Sequence, residues 1–178
     1  MKLSTIRSKL SIFNKEESGV TLPDTLMGLL VSAAVCGVMS MILVQTNDLV
    51  VANRNHMVTV NDAHNAGYWI QVDTKMAQSV DVDEGVSGLP LTLNWVDWDN
   101  TEHEVTYSID ADELKRTHSV NAGSPNVTIV AKSIDTAPGL TNCDYVDGVL
   151  TFTITTTEGN DRHRSNETRV LNYEPRTS

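Results

Sequence analysis

Residues 18–27 read Ser18-Gly19-Val20-Thr21-Leu22-Pro23-Asp24-Thr25-Leu26-Met27, and they open an uncharged run that continues from Leu26 to Val44. Nineteen residues in an α-helix cover roughly 28 Å at about 1.5 Å each. That is close to the hydrocarbon thickness of a bilayer, roughly 30 Å. A single acid, Asp24, stands at the mouth of the run, one position after Pro23. Proline suits the first turn of a helix, and an acid there suits the positive end of the helix dipole. A carboxylate at the edge of hydrocarbon is costly, and is usually paired or functional.

Charge is distributed unevenly around this run. The chain has 178 residues and a net charge of −10. The first nineteen residues hold Lys2, Arg7, Lys9 and Lys15 against Glu16 and Glu17; from Asn47 onward there are nine Lys/Arg and twenty Asp/Glu. A basic segment before a span and few bases after it predicts a cytoplasmic N-terminus and an exported C-terminal part. About 130 residues remain for that part, enough for one domain with its own core. So acidic an exterior argues against nucleic acid as a partner. Cys36 falls within the apolar run and Cys143 far out in the acidic part, so no intrachain disulfide is expected and the exterior domain must hold together by its core.

The segment 1–19 differs from a common secretory signal, in which the apolar stretch precedes the cleavage site and is removed. Here charged residues come first, then Glu16-Glu17-Ser18-Gly19, then the apolar run. A cut after Gly19 would make the run the new N-terminus. Leu3, Ile6, Leu10 and Phe13 fall at helical spacing, which fits a short amphipathic helix on the cytoplasmic membrane face; a soluble tail fits equally well.

Gly19-Val20-Thr21-Leu22-Pro23-Asp24-Thr25-Leu26 resembles the processing motif of type IV prepilins and of the pseudopilins of type II secretion systems. The resemblance implies that residues 1–19 are a leader removed by a prepilin peptidase, that Val20 becomes the N-methylated first residue, and that Asp24 is the acid at mature position five. Two residues depart from the family pattern: Val20 stands where Phe is usual, and Asp24 where Glu is usual. Cleavage would create a free amine four residues from Asp24, and the carboxylate of one subunit could neutralise the amine of a neighbour, so that both charges are buried as a pair. A weaker likeness to minor pilins and J-type pseudopilins lies in Asn65-Ala66-Gly67-Tyr68-Trp69-Ile70 with Asp73 and Met76-Ala77-Gln78. Arg54 and Lys75 stand there in place of that group's arginine-rich segment.

Four segments are therefore expected: a cleaved leader, 1–19; a transmembrane or filament-core helix, 20–45; an amphipathic continuation of that helix, 46–82; and an antiparallel β-sheet head, 83–178, with a frayed C-terminus. Ala33 and Gly37 form a small-xxx-small pair suited to close helix approach in lipid. Met57, Val60, Ala63, Ala66, Ile70, Ala77 and Val80 recur at three- and four-residue steps, predicting a helix to about Val80 with Gly67 a possible bend. From Leu89 the period is two: Leu89, Leu91, Leu93 and Trp95; Val105, Tyr107 and Ile109; Val127, Ile129 and Ala131; Leu150, Phe152 and Ile154; and a last strand over 168–173. Turn signals separate them, among them Asp110-Ala111-Asp112, Pro138-Gly139 and Asp147-Gly148. The predicted class is α+β: a long N-terminal helix packed on an antiparallel sheet of five strands, in two layers.

The head carries no legible catalytic set and no phosphate loop, and no cofactor is expected. Three acidic clusters, 81–84, 97–102 and 110–113, invite a calcium reading, but none matches the twelve-residue calcium loop; solvated turns explain them as well. His56 and His64 read as solvent-facing, while His118 and His163 show no spaced partners. Cys143 reads as a small buried apolar residue. Asn126-Val127-Thr128 and Asn166-Glu167-Thr168 are glycosylation-type triplets of little weight. The expected partners are the membrane, a prepilin peptidase and other pilin or pseudopilin subunits. The place is a cytoplasmic membrane crossed once, then a filament at the cell surface or in the periplasm. The alternative is an uncleaved, membrane-anchored exterior binding domain; an exported enzyme on a stalk ranks last.

Overall fold

The computed structural model describes residues 21–83 and 87–176. Gly19, Val20 and the expected leader, 1–19, lie outside the described residues. Helix α1 spans Leu22–Met76, 55 residues, and the chain divides into two compact units between Asn47 and Asp48.

In the first unit, the helix from Leu22 to Asn47 carries Leu, Val, Met and Ile on every side, and these side chains are exposed. This one helix is long and apolar enough to span a membrane.

In the second unit the same helix turns one stripe inward. Thr59, Ala63, Ala66, Gly67, Ile70, Asp73 and Thr74 are buried, spaced by threes and fours as a core-facing stripe must be. Met57, expected on that stripe, is exposed, and Val60 is half-buried. The helix runs unbroken through Gly67. A Cβ there would meet Leu171 Cδ1 at 3.0 Å, so this glycine serves close packing and is not a bend.

The helix ends at Met76, short of the expected Val80. Gln78 N donates to Asn94 O at 2.8 Å, which draws the chain into a sheet. Val80 and Val82 then alternate with Ser79 and Asp81 in strand β1, Ser79–Val82. The apolar positions beyond Met76 thus obey a period of two that mimicked, over four residues, a period of about four.

The head is all antiparallel. Strands β1, β2 (Leu91–Val96), β3 (Glu102–Asp110), β4 (Glu113–Val120) and β5 (Asn126–Ala131) form a five-stranded sheet in that order. Strands β6 (Asn142–Val146), β7 (Val149–Glu158) and β8 (Ser165–Tyr173) form a second, three-stranded sheet. The class is α+β as expected, but the described residues form eight strands in two sheets where five strands in one were predicted. In β4 the inward positions are Leu114, Arg116 and His118, so the apolar alternation that betrays a strand is missing. Strand β6 is only five residues long.

One core joins helix and sheets. Ala63, Ala66 and Ile70 meet Leu91, Leu93, Trp95, Val105, Tyr107, Leu114 and Val130 of the first sheet, and Leu150, Phe152 and Ile154 of the second. Polar ties cross the same seam: Asn65 Nδ2 donates to Val130 O at 2.6 Å, and Thr156 Oγ1 to Thr59 O at 2.9 Å. Edge strand β5 corrects a second expectation. Val127 and Ile129, predicted inward, are exposed, while Val130 and Ala131 are buried. A register shift opposite Leu114 and Lys115 leaves Val130 as an extra residue, and such a bulge reverses the phase of inward and outward side chains.

Candidate functional site

Two regions carry polar groups placed to do something. The first is the start of α1. Thr21 Oγ1 donates to Asp24 Oδ2 at 3.1 Å, and Asp24 N donates to Thr21 O at 2.9 Å. Thr21 thus precedes the helix and is tied through side chain and backbone to the acid of its first turn. A hydroxyl of its own chain already bonds one oxygen of Asp24, which sequence reasoning did not foresee. Farther along, Ser32 donates to Leu29 O, Ser40 to Cys36 O and Thr46 to Ile42 O at 2.8–3.0 Å. Each of these hydroxyls bonds back to its own helix, which removes the cost of a bare donor in lipid. At Gly28 and Gly37 an added Cβ would meet nothing within 4 Å, so both glycines leave the face open.

The second region is buried in the head. Asp73, on the inward stripe of α1, takes Arg116 of β4 in a two-pronged ion pair: Nε donates to Oδ2 at 2.7 Å and Nη2 to Oδ1 at 2.9 Å. Tyr107 of β3 donates its hydroxyl to the same carboxylate. Trp69 covers the guanidinium, 4.9 Å from ring centroid to Arg116 Cζ. The hydrogen bond to Asp73 raises the Arg116 pKa. Burial raises that of Tyr107, with the charge of Asp73 adding to it. The phenol therefore stays a donor and the guanidinium stays charged. Cross-strand pairing Tyr107↔Arg116 sets the two side by side. Sequence reasoning placed Asp73 and Trp69 on the helix but missed Arg116, whose only signal is a base at an inward position between Leu114 and His118.

Toward the β2–β3 turn the same sheet stacks Trp95 on His103, with centroids 4.9 Å apart and planes 4° from parallel. His103 Nδ1 lies 3.0 Å from His118 Nε2, and His103 Nε2 lies 3.1 Å from Asp97 Oδ2. His118, expected to have no partner, thus has one on the neighbouring strand. His163 likewise lies 3.5 Å from Asp48, and its carbonyl accepts from Asn55 Nδ2. Burial lowers the pKa of His118, and the charge of Arg116 lowers it further. Beside this stack lies a cleft of about 560 Å3, its walls including Gln78, Asn94, Trp95, Glu102 and Glu104.

Of the three acidic clusters, Asp97 is tied to His103, Asp99 to Thr101 N and Asp110 to Lys115. Among the described residues no group of three or more His, Cys, Asp or Glu side chains is placed to hold a metal ion. Both cysteines are free. Cys143 is buried, its Sγ donates to Gly88 O at 2.6 Å, and burial pushes its thiol up to about 12. Such a thiol is inert as a nucleophile at neutral pH.

No protein-family model, curated protein or solved structure matches this chain.

Proposed function

We propose that this chain is a structural subunit of a filament of the type IV pilus or type II secretion kind: a minor pilin or pseudopilin, cut after Gly19 and N-methylated at Val20. The observation that carries the reading is the start of α1. An acid lies in the first turn of a helix that runs uncharged from Leu26 to Val44 with its large apolar side chains exposed on every side, directly after a basic segment closed by glycine. A helix apolar all round must be covered by lipid or by other helices. The membrane supplies one cover and neighbouring subunits the other. In the filament, the Asp24 oxygen left free by Thr21 takes the amine of Val20 on a neighbour. The contacts between subunits are head-to-tail and do not close. On this reading the chain is a substrate of a prepilin peptidase and not an enzyme; its head stands on the exported side of the cytoplasmic membrane.

The test is the mass of the mature N-terminus from the producing cells. Methylated Val20 is expected, and a Gly19→Ala variant should retain residues 1–19. Asp24→Ala should still be cut but should enter filaments poorly. Wild-type chain that keeps Met1 in the membrane would overturn the reading in favour of an uncleaved anchor.

A further inference from the structure

Among the described residues no large apolar side chain is more exposed than Trp98, at 97%. It sits on the turn between β2 and β3, and that turn is held firmly. Asp97 N donates to Thr101 O at 2.9 Å, Asn100 N to Asp97 O at 3.0 Å, and Thr101 N to Asp99 Oδ1 at 3.1 Å. The Asp97 side chain is tied through His103 to His118. An indole presented on a fixed turn loses little freedom on binding, and tryptophan is the residue type most enriched at the energetic centres of protein interfaces.

The surroundings fix the sign of what could cover it. Asp97 and Asp99 flank the ring in sequence, and Glu102 and Glu104 line the adjoining cleft. Glu102 and Glu104 lie two residues apart on β3, hence on one face and roughly 7 Å apart by the rise of a strand. Among the described residues neither carboxylate has an ion-pair partner. The lining beside Glu102 is preset: Gln78 Nε2 donates to Val96 O, and Val96 N donates to Gln78 Oε1, both at 3.2 Å. From 79 to 131 the sequence has ten acids and two bases. Both bases are engaged within the chain, Lys115 by Asp110 and Arg116 by Asp73. A phosphate-rich surface or a second copy offering this same tip would be repelled.

We propose that the β2–β3 tip and its cleft form a docking surface for a basic segment of a partner protein. Trp98 stacks on one Arg or Lys side chain, and Glu102 with Glu104 receives a second cation in the cleft. An exposed indole attracts a cation through the negative face of its ring, and the carboxylates supply complementary charge that speeds encounter and fixes register. This inference does not depend on the filament reading.

The test uses the full chain in nanodiscs of zwitterionic lipid, with a fluorescent (Arg-Gly)4 peptide as probe at physiological salt. Saturable binding is expected. Trp98→Ala should weaken it about fivefold, and Glu102→Gln/Glu104→Gln by about tenfold. Asp112→Asn/Glu113→Gln removes the same charge at the β3–β4 turn and should change nothing. The inference fails if Trp98→Ala binds like wild type, or if the distant pair weakens binding as much as the cleft pair does. It also fails if a neutral glucan or a second copy of the chain, and not the basic peptide, proves to be what Trp98 holds.

Discussion

From Leu22 to Asn47 helix α1 exposes apolar side chains on all sides; from Asp48 to Met76 the same helix buries one stripe and exposes a mixture of polar and apolar side chains. Backbone geometry does not separate the two regions, since one continuous helix contains both. What differs is the surface each can offer a partner. The first region offers large aliphatic side chains with every hydroxyl turned back on its own carbonyls, so any apolar medium can cover it. The second offers Ala63, Ala66 and Gly67, whose small size lets β8 come close, and Asp73, which demands one particular partner. A helix half that accepts any greasy neighbour suits assembly or a membrane; a half that accepts only Arg116 and Tyr107 suits a fixed head.

That contrast predicts unequal responses to losing an acid. Asp73→Ala strands a guanidinium whose side chain is 11% exposed and leaves the Tyr107 hydroxyl without its acceptor. Removing one member of a buried pair costs about 3–5 kcal/mol. Urea unfolding of the full chain, followed by tryptophan emission, should show that loss. Asp24→Ala in the same assay should leave the head's midpoint unchanged. Equal losses from the two variants would erase the distinction between the halves.

A smaller difference is expected between two glycines of the one helix. Gly67→Val pushes a branched side chain into Leu171, already 3.0 Å from where a Cβ would sit. Overpacking of this kind costs about 1–3 kcal/mol. Gly37→Val meets open space and should leave head stability as it was. If Gly67→Val unfolds the head no more readily than Gly37→Val does, the close approach of β8 to the helix is not what holds them.

How far these differences could be read from sequence depends on the region. The first half of α1 was fully legible: nineteen uncharged residues leave few alternatives. The inward stripe of the second half was legible where it is apolar, at Ala63, Ala66 and Ile70, and misleading at Met57, because a flexible apolar residue is tolerated on either face. Strands with strict apolar alternation, such as Leu91-Leu93-Trp95 and Leu150-Phe152-Ile154, lay where expected and are buried. Strand β4 was invisible because its inward residues are Leu114, Arg116 and His118. With β4 unseen, both polar clusters of the head were out of reach, since each needs a residue of that strand. The phase of β5 failed at a bulge, which no periodicity can report. The turns fared best: Asp147 and Gly148, with φ of 51° and 84°, form the two-residue hairpin that an Asp-Gly pair favours.

The smallest expected effect is one of pH, and it too separates the regions. His118 packs beside Trp95, bonds His103 and lies near Arg116, with Asp97 behind His103 and Asp73 behind Arg116. Burial and the charge of Arg116 lower its pKa below the ordinary value of about 6.5. As pH falls through about 6.5 the unfolded chain takes up a proton at this position while the folded chain resists. The unfolded state then binds more protons, so stability rises with pH in this window and is lost as pH falls. His118→Gln keeps a polar side chain but cannot titrate, so its urea midpoint should drop less than that of wild type between pH 7.5 and 5.5. The first half of α1 contains no histidine and should contribute nothing to that difference. Should the two proteins lose stability in parallel, the acid sensitivity of the head arises from its carboxylates, and His118 does not set it.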